Sequence, residues 1–199
     1  MSGSARPGPP REVRLIGGDW KRSKLPVADK PGLRPTPDRV RETLFNWLGQ
    51  RLDGWRVLDA FAGSGALGFE AASRGAAEVV LLERDAELAR SLTASATRLK
   101  ASALRVENTD ALAWMQRTAA GRFDLILLDP PFDSALLEPA VAAADTLLDE
   151  AGWLYVEAAQ PWPADNPSWR VWRQARAGLV HFSLLRRNSY TAADSADED

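Results

Sequence analysis

Trp55-Arg56-Val57-Leu58-Asp59-Ala60-Phe61-Ala62-Gly63-Ser64-Gly65-Ala66-Leu67-Gly68-Phe69-Glu70 is the stretch whose reading decides the fold. A short strand from about Arg56 runs into a glycine turn, and a helix to about Arg74 follows, which is the first half of a βαβ unit. Gly63, Gly65 and Gly68 satisfy G-x-G-x-x-G, a pattern that seats a dinucleotide pyrophosphate on a helix N-terminus. Asp59 argues against that ligand. A carboxylate at the strand end just before the glycines repels a pyrophosphate and attracts an amino group or a sulfonium. S-adenosylmethionine carries both.

Toward the C-terminus the pattern repeats. Glu78–Glu83 reads as a second strand, and Glu83 lies about 20 residues after Gly63, where an acid can accept both hydroxyls of an adenosine ribose. A helix over Ala86–Lys100 leads to a third strand, Leu104–Glu107. Asp110 then stands either where the exocyclic amine of an adenine would be bound or as the N-cap of a helix over Ala111–Arg117, and the two roles are compatible. The fourth strand, Leu125–Asp129, is stopped by Pro130-Pro131-Phe132. Neither proline has an N–H, so the loop offers only acceptors, the Asp129 carboxylate and the Pro130 carbonyl, beside an aromatic plate. That combination suits a planar ring bearing an –NH2 group. The plainer reading is a strand end, a proline turn and a core Phe. Leu136–Leu148 reads as a helix and Gly152–Glu157 as a fifth strand. A Pro-rich loop over Gln160–Ser168 precedes a final hairpin, Trp169–Arg176 and Leu179–Arg186 about Gly178. His181 on its last strand has no acid–base partner nearby in sequence and reads as structural.

Toward the N-terminus, residues 1–11 are expected to be disordered. Val13–Ile16 and Trp20–Val27, joined at Gly17-Gly18, read as a basic hairpin bearing Arg14, Lys21, Arg22 and Lys24, either a nucleic-acid contact or a solvated ribbon. A rigid loop from Pro31 to Pro37 ends at Asp38, a candidate N-cap, and Val40, Leu44, Phe45, Trp47 and Leu48 fall at helical spacing up to Gly49. Arg39 and Arg41 sit near the start of that helix, where cations are disfavoured, so a phosphate contact or pairing with Asp38 or Glu42 explains them. Over residues 1–58, twelve basic residues stand against six acidic ones, although the whole chain carries a net charge of −2. The end, 189–199, is acidic and expected to be disordered.

With 199 residues, 45% hydrophobic and 26% charged, the chain suits one α/β domain with short appendages. It has no Cys and one His, which excludes disulfides, thiolate chemistry and a plausible zinc or iron site. It has neither an apolar run long enough to span a bilayer nor the apolar core of a signal peptide, so a cytoplasmic protein is expected.

Asp59-x-Phe61-x-Gly63-x-Gly65, Glu83, Asp110 and Asp129-Pro130-Pro131-Phe132, in this order, resemble the class I S-adenosylmethionine-dependent methyltransferases of exocyclic amines. More narrowly, Arg14-Leu15-Ile16-Gly17-Gly18, Leu33-Arg34-Pro35-Thr36 and Arg39–Leu48 resemble the bacterial 16S rRNA (guanine(966)-N2)-methyltransferases, the small-subunit methyltransferase D family. The resemblance runs from about Val13 to Arg186. Departures are Pro37 after Thr36, Ala158 after Glu157, and the acidic tail. It implies a Rossmann-like, mostly parallel seven-stranded sheet of order 3-2-1-4-5-7-6. It also implies S-adenosylmethionine as cofactor, held by Asp59, Phe61, Gly63, Gly65, Glu83, Arg84, Asp110 and Ala111, and catalysis by Asp129, Pro130, Pro131 and Phe132. RNA would be gripped by Arg14, Lys21, Arg22, Lys24, Arg34, Thr36, Arg39 and Arg41, in free 16S rRNA, the small subunit or its assembly intermediate. The expected division is an RNA-contacting hairpin and helix at 12–52 and a methyltransferase domain at 53–188, working as a monomer without metal or membrane. Three other readings stand beside it: adenine-N6 methylation of DNA, a nicotinamide-dependent oxidoreductase, and a non-catalytic RNA-binding module.

Overall fold

A computed structural model describes residues 11–30, 33–131 and 134–189. Of the stretches expected to be disordered, 1–11 and 189–199, residues 1–10 and 190–199 lie outside the described residues, as does Phe132, whereas Arg11 is corrected to a strand residue paired with Val27 and Ser189 to a turn residue. Strands β1 (Arg11–Arg14) and β2 (Lys24–Val27) pair antiparallel, and α1 (Asp38–Trp47) follows. Then come β3 (Arg56–Asp59), α2 (Ala66–Ser73), β4 (Glu78–Glu83), α3 (Ala86–Leu99), β5 (Leu104–Asn108) and α4 (Ala111–Met115). The chain closes with β6 (Phe123–Leu128), α5 (Leu137–Leu147), β7 (Leu148–Ala158), β8 (Trp169–Ala177) and β9 (Val180–Arg187).

The main sheet has seven strands in the order β5-β4-β3-β6-β7-β9-β8. Numbered from β3, that is 3-2-1-4-5-7-6, as the resemblance implied. β3 to β7 are parallel, and β9 runs antiparallel to both β7 and β8. The inner strands are apolar at nearly every position because both faces are covered. Val57, Leu81, Leu125, Leu127 and Tyr155 share one cluster with residues of α1, α2 and α3, whereas Leu58, Val80, Ile126, Leu128 and Val156 share the other with α4 and α5.

The N-terminal arm belongs to the first of these clusters. Val13, Leu15, Leu25, Val27, Val40, Leu44 and Phe45 are buried in it with Val57 and Phe69, and Trp47 stacks on Phe182 of β9 at 5.4 Å between ring centroids. One core therefore runs across the expected division at residue 52.

Two local expectations are corrected. The hairpin does not turn at Gly17-Gly18: residues 15–23 form a loop that lies on the end of α2. Asp19 N–H donates to the Ser73 carbonyl at 2.7 Å, and Gly17 N–H to Glu70 Oε1 at 2.7 Å. A Cβ at Gly18, whose φ is +70°, would stand 1.7 Å from the Ser73 carbonyl oxygen, so these glycines serve close approach rather than a tight turn. The second correction concerns Asp38. It is the first helical residue and Pro37 the cap, with no side-chain cap bond. Its carboxylate instead accepts from Arg41 Nη2 at 2.6 Å.

Glu70, fully buried on α2, ties the arm down. Its two oxygens accept from Ile16 N–H, Gly17 N–H, Arg41 Nη1 and Arg74 Nε at 2.7–3.0 Å. A buried carboxylate flanked by two guanidiniums is stable only while every partner is present, and removing one costs about 3–5 kcal/mol.

Candidate active site at the carboxyl edge of the sheet

Alternation along the strands collects four acids on one face. Asp59 lies two residues beyond Val57, Glu83 two beyond Leu81, and Glu157 two beyond Tyr155, so each projects toward the α1–α3 side. Asp129 follows Leu127 by the same spacing, just past the last residue of β6. Leu127 pairs with Asp59 on one side and with Tyr155 on the other, which sets Asp129 between Asp59 and Glu157.

The glycine turn between β3 and α2 is held from both strand ends. Glu83 Oε2 accepts from Gly63 N–H at 2.9 Å and Oε1 from Asp85 N–H at 2.7 Å. Each oxygen keeps a further lone pair, the capacity a ribose diol requires. Gly65 has a φ of +77°, and a Cβ there would come within 2.5 Å of Leu92. Asp59 is only 2% exposed, and its Oδ2 accepts from Gly68 N–H at 3.0 Å. Asp59 thus spends lone pairs on the chain's own backbone, beside the crevice in which it was expected to attract a cation. Burial pushes its carboxyl up to about 7, opposed by the bonds from Gly68 and Phe61 and helped by Glu83 and Glu157. Asp110 caps α4, accepting from Ala113 N–H at 2.9 Å, and stays exposed. Ala111 is buried beneath it, Phe61 is half-buried, and Arg84 is exposed at the mouth.

Asp129 is half-buried, and among the described residues no donor reaches its carboxylate or the Pro130 carbonyl. Burial raises the Asp129 carboxyl well above the usual range, and the charges of Glu157 and Asp59 raise it further. Pro130 is buried and Pro131 exposed, the Pro131 carbonyl accepting from Ser134 N–H at 3.0 Å. Glu157 was not singled out as a site residue from the sequence. It is 3% exposed, and its Oε1 accepts from Tyr155 Oη at 2.9 Å, with a second bond from the Thr36 hydroxyl. Burial pushes it up to about 7 despite those two hydroxyls. The signal was present, an acid ending the fifth strand as Asp129 ends the fourth. Three crowded carboxyls in one crevice match a cationic ligand and mismatch a pyrophosphate. Among the described residues no group of acids or His could hold a metal ion.

The profile of a family described as Conserved hypothetical protein 95 matches residues 13–186. Over 192 residues the chain is 41% identical to the ribosomal RNA small subunit methyltransferase D of Escherichia coli (strain K12), covering 92% of this chain and 94% of that protein. The chain belongs to the small subunit methyltransferase D family. The Haemophilus influenzae protein of the same name is 41% identical over 185 residues, covering 88% and 94%. The solved structure of yhhF from Escherichia coli superposes with a TM-score of 0.79 at 40% identity, covering 90% of this chain and all of that one.

Of the residues assigned to RNA in this family member, Arg14, Lys21, Arg22, Arg34 and Arg39 are exposed. Lys24 is exposed too and pairs with Glu12 at 2.6 Å. Arg41 is corrected: it is 0% exposed and bonded to Glu70, Asp38 and the carbonyls of Thr36 and Arg14, so it is a core residue. Thr36 is also buried, at 6% exposure, and turns to Glu157 rather than to the surface. For Arg41 the position near a helix start suggested a phosphate contact or pairing with Asp38 or Glu42, and the pairing with Asp38 is what forms, together with Glu70; for Thr36 the RNA contact came from the resemblance alone. No helix among the described residues is long and apolar enough to cross a membrane.

Proposed function

We propose that this protein methylates the exocyclic N2 amine of a guanine, position 966, in the 16S rRNA of the small ribosomal subunit, using S-adenosylmethionine. The observation that carries the reading is the acceptor-only edge of Asp129 and Pro130 standing beside the Asp59–Glu83 crevice, in a chain of this family. Bound there, S-adenosylmethionine supplies an electrophilic methyl group on a cationic sulfur. Glu83 would take the ribose hydroxyls and the backbone of Gly63–Gly65 would line the amino acid moiety, with Asp110 and Ala111 at the adenine.

Guanine N2 is a weak nucleophile because its lone pair is delocalised into the ring. Asp129 and the Pro130 carbonyl, each accepting one N–H, favour a pyramidal nitrogen whose lone pair faces the donor, so that most of the catalysis is positioning. Phe132 is assigned the stacking of the splayed base. Asp129 then takes the proton. The exposed Arg14, Lys21, Arg22, Arg34 and Arg39 of residues 12–52 are assigned to the RNA backbone, and the protein is taken to act as a monomer.

The test is mass mapping of 16S rRNA from cells lacking the protein, with tritium transfer by the purified protein to small subunits, free 16S rRNA and duplex DNA. One missing methylguanine and transfer to the RNA substrates support the reading. An unchanged rRNA map, or transfer to adenine of DNA, overturns it.

A further inference from the structure

The proposed function gives Asp129 a proton to accept and leaves unexplained the second buried acid beside it. Leu128, the last residue of β6, pairs with Val156 of β7, so Asp129, just past that strand end, is level with Glu157 and continues the alternation on the same face. Glu157 is not a solvated strand-end acid: at 3% exposure it is held by the Tyr155 hydroxyl at 2.9 Å and by the Thr36 hydroxyl. A buried carboxylate packed beside another is a stability cost that a neutral residue would avoid. Two hydroxyl donors nonetheless keep this one in place.

We propose that Glu157 is a positioning residue for methyl transfer: fixed by Thr36 and Tyr155, it sets its charge against Asp129, so that Asp129 takes up the proton released when the amine is methylated. The inference rests on the reading of Asp129 given above. In the step, the N2–carbon bond forms as the carbon–sulfur bond breaks, and sulfur keeps that electron pair. One N2 proton passes to the Asp129 carboxylate, and solvent receives it when the product leaves. A carboxylate near the usual acidity of Asp is a poor acceptor at neutral pH, and one opposed by a neighbouring charge is better matched to the task. The other groups facing the pair are Asp59 on β3, with Glu83 behind it on β4, and the Tyr155 hydroxyl on β7; among the described residues, no cation is among the charges acting on Asp129.

Glu157→Gln keeps the shape and one acceptor oxygen, enough for the Tyr155 hydroxyl, while removing the charge. Two readouts are taken on the full-length protein: carbon-13 NMR titration of the Asp129 carboxyl without ligands, and the pH profile of methyl transfer to small subunits. In Glu157→Gln the Asp129 titration is expected to move down by about one pH unit or more. The acid limb of transfer should move with it, and the plateau rate should fall about tenfold. An unmoved Asp129 titration, or a lowered plateau with an unmoved acid limb, overturns the inference, since a merely structural acid would do only that. Wild-type protein inactive on every RNA substrate would instead sink the proposed function, while the titration still decides whether Glu157 acts on Asp129.

Discussion

At the scale of single residues, the crevice is a set of acids whose neighbours give them different tasks. Glu83 and Asp110 spend lone pairs on backbone N–H groups and keep others, Asp59 is committed beneath the glycine turn, and Asp129 is left with acceptors only. Asp129→Ala is therefore expected to abolish methyl transfer and leave S-adenosylmethionine affinity, read by calorimetry, within about threefold, a difference of well under 1 kcal/mol. Parallel loss of both would mean that the residue supports the fold. The same acids make stability depend on pH. Asp59 and Glu157 titrate near 7 in the folded chain against ordinary values of 3.8 and 4.5. Between those limits the folded state binds more protons than the unfolded one, so the contribution is full below about pH 4 and is lost as pH rises through 7. Melting of the ligand-free protein at pH 5.0 and 7.5 should show the loss, and Asp59→Asn should shrink the difference between the two.

At the scale of elements, the arm is the part whose geometry sequence patterning rendered least well. Positive φ alone does not distinguish Gly18, at +70°, from Gly178, at +64°, yet a Cβ at Gly178 meets nothing within 4 Å. Gly178→Ala should cost about 1 kcal/mol, the penalty of a left-handed non-glycine residue in an open turn. Gly18→Ala must also part the 15–23 loop from α2, and chemical denaturation should show a loss at least twice as large. Equal losses would show that the loop is not seated on the helix. Function on the arm is separable from packing. Replacing Lys21 and Arg22 with Ala should leave the melting temperature unchanged, weaken binding to 16S rRNA, and make its salt dependence shallower by up to about two units of slope. A salt slope equal to that of the wild type would remove these two from the contact.

At the scale of the whole molecule, the arm and the sheet share one core, so a chain beginning at residue 53 would expose Phe69 and the α2 face that now meets Leu15, Val40 and Phe45. It should fail to give dispersed NMR signals; a folded fragment that binds S-adenosylmethionine would refute the shared core. Much of this molecule was legible along the chain. Apolar runs bounded by glycines and prolines marked the parallel strands, because burial on both faces leaves an inner strand little room for polar residues. The carboxyl-edge row of Asp59, Glu83, Asp110 and Asp129 was legible for a related reason: each acid stands at a strand end or within two residues past it, where a turn begins. What distance along the chain hides is which side chains meet across it. Thr36 lies in a loop and Arg41 near the start of a helix, both in a basic segment, and only the docking of α1 on Glu70 and of Thr36 on Glu157 drew them inside. Glu157 itself ends a strand like the others, but its place beside Asp129 depends on the register of β6 against β7. By itself the sequence determined the succession of strands and helices along the chain and the chemistry at their ends, since periodicity and composition are local, while the order of strands in the sheet was implied only by the family resemblance. Tertiary structure alone decided which basic residues face solvent and which acids share a charge, because both are settled by contacts between residues tens of positions apart.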